Sequence, residues 1–596
     1  MTHRASAPAF VNGAFKWGCH ASSEGLETHF RPQGKAFPSS KTHFRPQGNA
    51  FLQAKTHFRT LQNSSLHLKE SLFLFYIMKR FKLLFSLFLS SAMMAGGAFA
   101  QEVKEYVIDK SVKYQVIDNF SASDAWRMDF VGKNWPLEKK QQLADLLFKH
   151  DYDKDGNPMG MALSCWRINI GAGSYENREY KEVTSTWNRT ECFLSPDGTY
   201  DFSKQAGQRW FMQAARERGM NDFLFFTNSA PYFMTRSAST VSADSRCVNL
   251  QEDKFDDFAR FLAHCAEHFQ GEGYNIKYIS PLNEPNVEWH TNSFQEGTYA
   301  TKADIYRLVS ELDKAISDKR LSSKIIIPEL GEFKMLFEVS DDERVPDDII
   351  QSMFSKKGEY SVLKFKNLYN CIAAHDYWTA YPPQLLVDIR TQLHDAIQRN
   401  DAGTKFWASE YCILEKNDEI TMPSSPTKSI NLGLYVARII HSDLALANAS
   451  AWQWWTAVSL NEDVPLQLLP LKGSSGETVK YDGTIVPTKM FWATANYSFF
   501  LRPGMRRIDI RPTGQAPTPL QAATSLMLSS YTDGKQVVTV AINYTDQAQP
   551  LSLKCDGAKK GKLYVTSIDK NLQYAGSHSL NSLSLPPRSI VTIVIE

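Results

Sequence analysis

Two glutamates follow apolar runs of strand length and could act as a pair. Glu284 lies in YISPLNEPNVEW, where the apolar run from Tyr278 stops at Asn283, and Glu410 lies in KFWASEYCIL. Two carboxyl groups held close together can divide proton transfer and nucleophilic attack between them, because different surroundings keep one protonated and the other ionised. A polar turn after a buried strand is the alternative for Asn283 and Glu284. The paired role therefore requires a fold that brings the two strand ends together.

Alternating strands and helices predict such a fold. Eight apolar runs of strand length are separated by amphipathic helices, and they span residues 115–120, 160–169, 222–227, 276–280, 324–328, 371–375, 405–409 and 449–454. This rhythm predicts an α/β fold, the (β/α)₈ TIM barrel, in which catalytic groups stand at the carboxyl ends of the strands. A doubly wound open sheet is the alternative, but NIGAGS at residues 169–174 lacks the glycine spacing of a dinucleotide-binding loop.

The barrel would place the two glutamates opposite each other. Glu284 follows the fourth predicted strand and Glu410 ends the seventh, and strands four and seven face each other in a ring of eight. A gap of ~5 Å between the carboxyl groups suits a two-step displacement at a sugar carbon, whereas a wider gap suits one-step inversion. Arg167, in CWRINIG, is placed to keep Glu410 ionised, with a structural salt bridge as the alternative. Asn283 offers an amide that can bind a sugar hydroxyl.

The pattern changes near residue 487. From there to the C-terminus, polar and apolar residues alternate between turn signals such as Asp533-Gly534, and Val103–Val116 alternates in the same way. We therefore expect a flanking β-sandwich that combines the N-terminal segment 101–116 with residues 487–596, which also hold the last barrel helix. The catalytic barrel is then expected at residues 117–486.

Two N-terminal segments are predicted to lie outside the folded body. THFRPQG occurs at Thr28 and again at Thr42, and residues 1–77 are interpreted as a disordered or spuriously translated leader. Residues 78–100, which run from Met78 to Ala100, have the basic start, apolar middle and small final residues of a signal peptide cleaved before Gln101. This predicts export to the periplasm, the cell surface or the medium, with no stable membrane insertion after cleavage. An uncleaved signal anchor is the alternative.

Composition argues against some partners and cofactors. The first 100 residues hold 12 Lys/Arg and 3 Asp/Glu, whereas the other 496 hold 54 and 61 and carry a net charge of −7. A mildly acidic body without basic stripes argues against nucleic acid as a partner. No CxxC pair indicates zinc, and neither a metal nor another cofactor is predicted. Cys192 and Cys247 lie in predicted loops and could pair in an oxidising compartment.

Eight motifs occur in an order that resembles glycoside hydrolase family 30, a family of clan A retaining glycosidases. The motifs are FSASDAW, WRINIGAGS, FTNSAPYFMT, PLNEPNVEW, IPELGEF, HDYW, WASEY and WQWW, and the resemblance runs from about Tyr106 to the C-terminus. It implies that Glu284 is the acid/base and Glu410 the nucleophile. It also implies a barrel accompanied by a side β-sandwich.

The resemblance implies substrate-binding roles for further residues near the strand ends. These are sugar contacts at Asp124 and Trp126, cleft lining at Asn228 and Tyr232, orientation of the nucleophile by His375 and Tyr377, and a sugar-stacking platform at Trp454, favoured over Trp455. A capped turn is the alternative for Asp124 and Trp126, and a core histidine is the alternative for His375. Glu329 is either a third cleft carboxylate or a loop cap.

Several β-linked substrates fit the resemblance. The residues around WASEY and WQWWTAVS look most like the endo-β-1,6-galactanase-like branch, while a β-1,6-glucanase, a xylanase and a β-glucosidase or glucosylceramidase are alternatives. The loop TAVSLNEDVPLQLLP contains Glu462 and Asp463 and no basic residue before Lys472, which disfavours a substrate with acidic branches. A catalytically inactive glycan-binding protein is the hypothesis from a different class. Endo or exo action and the oligomeric state are left open.

Overall fold

The computed structural model describes residues 103–177, 183–242, 246–290, 293–420, 429–460 and 468–596. All of these residues belong to one compact unit, Ala100–Glu596. The predicted leader, the predicted signal peptide and the acidic pair Glu462 and Asp463 lie outside the described residues. No helix within these ranges has the length and the apolar composition that crossing a bilayer requires.

The strands of the described residues form three sheets. In chain order the strands are β1 (Lys104–Val116), β2 (Asn119–Ala122), β3 (Trp166–Asn169), β4 (Asp222–Phe226), β5 (Asn275–Ser280), β6 (Lys324–Leu330), β7 (Leu368–His375), β8 (Lys405–Tyr411), β9 (Ala451–Trp454), β10 (Val458–Leu460), β11 (Leu469–Lys472), β12 (Thr484–Ile485), β13 (Arg506–Pro512), β14 (Leu526–Thr532), β15 (Val537–Asn543), β16 (Gln549–Cys555), β17 (Lys560–Thr566), β18 (Gln573–Ser579), β19 (Leu583–Leu585) and β20 (Ser589–Ile595).

Helices alternate with the strands β2 to β9. In chain order the α-helices of the described residues are α1 (Arg127–Asn134), α2 (Leu137–Phe148), α3 (Ala206–Glu217), α4 (Phe255–Gly271), α5 (Lys302–Asp318), α6 (Ile349–Ser352), α7 (Pro383–Asp401), α8 (Ile430–Ala445), α9 (Gly476–Val479), α10 (Lys489–Ser498) and α11 (Pro519–Ala523). Short 3₁₀ helices occur at Thr186–Asn188, Tyr232–Met234, Phe333–Leu336, Asp418–Ile420 and Leu580–Ser582.

Strands β2 to β9 form the barrel. They run parallel in the order β2-β9-β8-β7-β6-β5-β4-β3, and a bridge between Ser123 and Arg167 joins the two end strands and closes the ring. The predicted (β/α)₈ barrel is thus confirmed, and each of its strands lies at or near its predicted position. The first strand was predicted to begin at Gln115, but Gln115 belongs to β1 and the barrel strand begins at Asn119.

Alternating side chains fill the interior of the barrel. In β4, Leu224 and Phe226 point into the ring, whereas Phe223 packs with the surrounding helices. Trp407 of β8 and Tyr278 of β5 meet across the ring with their ring centres 4.8 Å apart. Because these bulky side chains occupy the middle of the barrel, a substrate reaches it only at the carboxyl ends of the strands.

A nine-stranded sheet flanks the barrel. Its order is β18-β17-β20-β15-β14-β13-β1-β16-β19, with β1 antiparallel to β13 and parallel to β16. Ile108, Leu553 and Val591 belong to a core of this sheet's own, while Val538 and Val540 join the larger core that includes the barrel helices. A separate sheet-rich domain that includes the N-terminal strand is therefore confirmed. Its predicted boundaries at residues 117 and 487 stay predictions.

The possible disulfide between Cys192 and Cys247 is not formed. Both residues are free thiols, and Cys192 is buried. The Sγ atom of Cys247 instead accepts a hydrogen bond from Arg236 Nη1 at 2.7 Å. Two cysteines in predicted loops therefore need not lie close enough in the fold to form a disulfide.

Two helices, α1 and α3, cross at a pair of glycines. A Cβ atom on Gly207 would lie 1.8 Å from the carbonyl oxygen of Asp129, and one on Gly132 would lie 2.2 Å from the carbonyl oxygen of Gly207.

We expect Gly207→Ala to lower the free energy of unfolding by about 1–3 kcal/mol, because the helices must move apart. Urea unfolding measures the change. Gly271→Ala at the end of α4 is the matched control, since nothing lies within 4 Å of its added Cβ. Equal effects of the two substitutions would contradict the close crossing.

Candidate active site

The ends of β5, β7 and β8 bring two carboxyl groups together above the barrel. A carboxylate oxygen of Glu284, one of Glu410 and a ring nitrogen of His375 all lie within 4.8 Å of one another. Glu284 follows β5, whereas His375 and Glu410 belong to β7 and β8. Carboxyl groups about 5–5.5 Å apart are typical of a two-step displacement, and a gap that holds a water molecule is wider. The separation therefore fits the two-step chemistry.

The carboxylate of Glu410 is surrounded by hydrogen-bond donors and positive charges. Its carboxylate forms an ion pair with Arg167, its Oε1 accepts a hydrogen bond from the Tyr377 hydroxyl at 2.9 Å, and His375 Nδ1 lies 3.3 Å from the same oxygen. Burial raises the pKa of Glu410, while the positive charges of His375 and Arg167 act to lower it. These contacts favour the ionised carboxylate, which is the form that can attack carbon.

Glu284 has more open surroundings. Its side chain is 14% exposed, compared with 3% for Glu410, and its Oε1 lies 3.0 Å from His375 Nδ1. Its backbone has a φ of 45°, and its N–H donates to the Glu329 carbonyl at 2.9 Å. A left-handed conformation costs a non-glycine residue about 1–2 kcal/mol, so neighbouring contacts must hold it. The fold thus holds Glu284 in place beside solvent.

His375 links both glutamates to a third carboxylate. Its Nε2 lies 3.2 Å from Glu329 Oε2, which also accepts a hydrogen bond from the Ser409 hydroxyl at 2.5 Å. Burial alone would lower the pKa of His375, but the charge of Glu410 and the hydrogen bonds to Glu284 and Glu329 raise it to about 10. Burial likewise acts to raise the pKa of Glu329, but His375 and Arg167 lower it. His375 is therefore an imidazolium between three carboxyl groups.

The same three residues have the spacing of a cation site. Glu284, His375 and Glu410 offer ligand atoms at suitable mutual distances. A metal ligand must be a neutral imidazole, however, and His375 has a pKa raised to about 10 and both ring nitrogens close to carboxylates. A cation here would therefore have to displace a proton from His375 and compete with its contacts to the carboxylates. The expectation that no cofactor is needed stays a prediction.

Arg167 organises the other side of the carboxylate pair. Its Nη2 donates to Asn283 Oδ1 at 2.9 Å, and its guanidinium carbon lies 4.0 Å from the ring centre of Phe226 and 5.8 Å from that of Trp455. Because Arg167 holds the oxygen of the Asn283 amide, the nitrogen is the end that can meet a substrate hydroxyl. Arg167 is fully buried, so any influence it has on a substrate passes through Glu410 and Asn283.

Two predicted sugar contacts follow β2, and the structure places them differently. Asp124 is fully buried, and its oxygens accept hydrogen bonds from the Asn169 N–H at 2.9 Å and from Gln208 Nε2 at 2.7 Å. Burial raises the pKa of Asp124 to about 7. Trp126 packs edge-on against Trp455 at 5.2 Å, and its buried Nε1 has no hydrogen-bond partner among the described residues. Asp124 therefore fits a role in positioning the loop after β2, whereas the indole N–H of Trp126 could donate a hydrogen bond to a substrate.

The two predicted cleft residues after β4 also differ. Asn228 is almost completely buried, and neither its amide oxygen nor its amide nitrogen has a hydrogen-bond partner within the described ranges. Tyr232 is half-buried and packs on Gly173, where an added Cβ would lie 2.9 Å from the tyrosine ring. Buried polar atoms without partners are costly, so Asn228 is suited to receive sugar hydroxyls.

Comparison with known proteins agrees with this geometry. The family model for O-glycosyl hydrolase family 30 matches residues 103–463. The chain belongs to glycoside hydrolase family 30. It is a glycoside hydrolase, and its relatives act on β-linked glycans.

Relatives from several organisms match the chain. It is 25% identical over 297 residues to an exo-β-1,6-galactobiohydrolase of Bifidobacterium longum, covering 39% of this chain but only 19% of that protein. It is 22% identical to an endo-β-1,6-galactanase of Hypocrea rufa, covering 61% of this chain and 70% of that protein. The crystal structure of a conserved exported protein from Bacteroides fragilis is 68% identical, with a TM-score of 0.80, and covers 82% of this chain and 100% of that chain. The catalytic domain of xylanase C from Talaromyces cellulolyticus, at 20% identity and a TM-score of 0.58, shares the fold.

One predicted site residue of this glycosidase is placed away from the carboxylates. Trp454, the predicted sugar platform, is fully buried in the outer core, where its ring lies 6.0 Å from Trp452 and 6.1 Å from Tyr411. Trp455 instead packs with Trp126 and Phe226 near Arg167. The burial of Trp454 contradicts its predicted role, because Trp452 and Trp454 share the strand face that points toward the helices, and Trp455 becomes the candidate.

The sequence left the role of Glu329 open between a cleft carboxylate and a loop cap, and it did not point to Ser409. Both reach the network because the barrel strands are irregular where they approach their carboxyl ends. Register shifts fall between Pro328 and Leu330 in β6 and between Ala408 and Tyr411 in β8. Such bulges turn consecutive side chains toward the same side, which strict alternation forbids. The acidic residue in IPELGEF and the serine in WASEY were the available signals.

The raised pKa of His375 predicts a pH-dependent stability. The pKa of His375 is about 10 in the folded protein and 6.5 for a free histidine. The charged histidine therefore stabilises the folded state fully below about pH 6.5, and this contribution is lost as the pH rises through about 10. We expect the difference in unfolding free energy between wild type and His375→Gln to shrink from pH 7 to pH 10.5. Urea unfolding at both pH values measures it. His441→Gln is the control, because burial lowers the pKa of His441 to about 3 and its difference should stay constant.

The two neighbouring tryptophans should respond differently to truncation. We expect Trp454→Ala to lower the unfolding free energy by about 3–5 kcal/mol, because it leaves a cavity in the core. Trp455→Ala should fold with a smaller loss and instead lower kcat/KM on the substrate. Thermal unfolding and steady-state kinetics on both variants separate the effects. If Trp454→Ala impaired only kinetics and Trp455→Ala only stability, the corrected assignment would be wrong.

Proposed function

We propose that this enzyme cleaves a β-linked glycan by double displacement, with Glu410 as nucleophile and Glu284 as acid/base. The observation that carries the proposal is the approach of the two carboxyl groups to within 4.8 Å of His375 and of each other, with Glu410 ion-paired to Arg167. Two carboxyl groups at this spacing allow direct attack by one while the other serves the leaving group.

In the first step, Glu284 donates a proton to the glycosidic oxygen as Glu410 attacks the anomeric carbon. The bond to the leaving sugar breaks, and a glycosyl ester forms on Glu410. In the second step, Glu284 removes a proton from water, which attacks the same carbon and releases Glu410. Two inversions give overall retention of the anomeric configuration. Arg167 and Tyr377 would stabilise the negative charge of the Glu410 carboxylate before the ester forms and after it breaks.

Several residues are proposed to bind the glycone. Asn283 would bind the sugar 2-hydroxyl through its amide nitrogen, and Trp455 would stack on the sugar face. Trp126 Nε1 and the amide of Asn228, which are buried without partners in the described part of the chain, would bind hydroxyl groups. Tyr232 would line the edge of the cleft. His375 and Tyr377 would orient the two catalytic carboxyl groups.

For the substrate, we favour a β-1,6-galactan cleaved in an endo-like manner. Support comes from the galactanase-like residues around the nucleophile and from the similarity to an endo-β-1,6-galactanase and an exo-β-1,6-galactobiohydrolase. Glucuronoxylanases match at similar identity, so xylan and β-1,6-glucan are the alternatives that a screen must include. Export through the segment 78–100 completes the proposal, in agreement with the exported protein to which the chain is similar.

Substitution of the two glutamates tests the mechanism. We expect Glu410→Gln to lower kcat by at least about 10³-fold while glycan binding persists, because only the nucleophile is lost. Glu284→Gln should impair substrates with poor leaving groups far more than a glycosyl fluoride, which needs no proton. Proton NMR of the first product should show the retained anomer. Initial release of the inverted anomer would contradict the two-step route, and a wild-type protein that binds but never hydrolyses would favour the inactive glycan-binding protein.

A further inference from the structure

Trp378 stands out among the residues beside the catalytic carboxylates. Every described neighbour from Cys371 to Ala380 is buried, whereas Trp378 is 48% exposed. The preceding residue, Tyr377, donates its hydroxyl to Glu410, and the two rings lie 5.7 Å apart. Trp378 thus places a large, half-exposed apolar surface one residue away from a direct partner of Glu410.

The backbone of Trp378 has an unusual conformation that the fold enforces. Its φ is 55°, a left-handed value that bulky residues rarely adopt. The residues on either side are held by Arg390, which donates to the Thr379 carbonyl at 2.8 Å and pairs with Asp376. Arg390 also donates to Asp443 at 2.9 Å, and all four charged or polar partners are buried. The buried contacts of Arg390 thus fix the backbone around Trp378, whose ring is exposed.

The position of the loop indicates which part of a substrate the ring would meet. Trp378 follows β7, in the half of the barrel formed by β5 to β8, which also carries Glu284. The ring of Trp455 belongs to the other half, after β9. So do the polar atoms of Trp126 and Asn228, after β2 and β4, which have no partner among the residues that the structure describes. The leaving sugar must lie beside Glu284, since that residue has to reach the glycosidic oxygen. Glu410 ends β8 in the same half, so the cleaved bond lies above β5 to β8. The sugar held for attack can extend from there toward the polar atoms of the other half, and the leaving sugar toward Trp378.

We propose that Trp378 is a sugar-stacking platform for the leaving-group side of the substrate. The C–H face of a pyranose ring is apolar and can lie on the indole, while the hydroxyl groups at its edge stay hydrated. This binding subsite would make the enzyme prefer substrates that extend beyond the cleaved bond. The inference rests on the proposed glycosidase mechanism and adds a residue that determines specificity for the leaving group.

A comparison of two substrates tests the proposal. One is a β-linked oligosaccharide that the wild-type enzyme cleaves, beginning with β-1,6-galactotetraose, and the other is the β-glycosyl fluoride of the same sugar. Fluoride departs without occupying a sugar subsite, so it reports on the catalytic centre alone. We expect Trp378→Ala to lower kcat/KM for the oligosaccharide at least about tenfold. The kcat/KM for the fluoride should stay within about twofold, since none of its contacts is removed.

Two further variants separate stacking from misfolding. Trp378→Gly removes the ring but adopts a φ of 55° without strain, so its loss on the oligosaccharide should equal that of Trp378→Ala. Trp378→Phe keeps an aromatic face and should stay within about threefold of wild type. Tyr152→Ala is the control, since this exposed aromatic precedes β3 and so lies toward the opposite end of the barrel.

Each result decides between the alternatives. Equal losses on both substrates would show that Trp378 only supports the catalytic centre, and unchanged oligosaccharide kinetics would show that no sugar meets the ring. Either result overturns the proposal while wild-type turnover keeps the glycosidase mechanism intact. If the wild-type enzyme hydrolysed neither substrate class, the proposed function itself would fail and this inference with it.

Discussion

The buried ion pair between Arg167 and Glu410 is the interaction on which the site depends. Both partners are buried, so removal of either one would leave an uncompensated charge at a cost of roughly 3–5 kcal/mol. The pair belongs to a larger group in which Glu284, Glu329 and Glu410 face the two cations Arg167 and His375. Glu284 is the most exposed of the three carboxyl groups, so it is the one that solvent and a substrate reach most readily.

The rest of the fold fixes this charged group in space. The barrel brings five strand ends to one edge, and its interior is filled with aromatic and aliphatic side chains that leave no room for the group to relax inward. Glu284 and Glu329 both have left-handed backbones, with φ values of 45° and 59°, and one donates a backbone hydrogen bond to the other. Local strain of this kind persists only where surrounding contacts over-determine it. The scaffold thus stabilises an arrangement that the local sequence alone would not adopt.

Much of the fold, and the approach of Glu284 and Glu410 to each other, could be predicted because they follow from periodicity. Strand and helix repeats located all eight barrel strands, and the positions of Glu284 and Glu410 after the fourth and seventh strands implied their approach. Irregular geometry was harder to predict. The bulges that turn Ser409 and Glu329 into the network break the alternation on which a sequence argument relies. The choice of Trp454 over Trp455 failed for another reason, because the sequence does not show which face of β9 points into the barrel. The hydrogen bonds that occupy Asp124 could not be foreseen either.

Covalent trapping is the most direct measurement of the central claim that Glu410 is the attacking carboxylate. A 2-deoxy-2-fluoroglycosyl fluoride of the sugar that the enzyme cleaves has a good leaving group but a slow second step, so a glycosyl ester should accumulate. Mass spectrometry of the intact protein should show one added sugar, and peptide mapping should place it on the WASEY peptide at Glu410. A label on Glu284, or turnover of this reagent without any covalent adduct, would contradict the account.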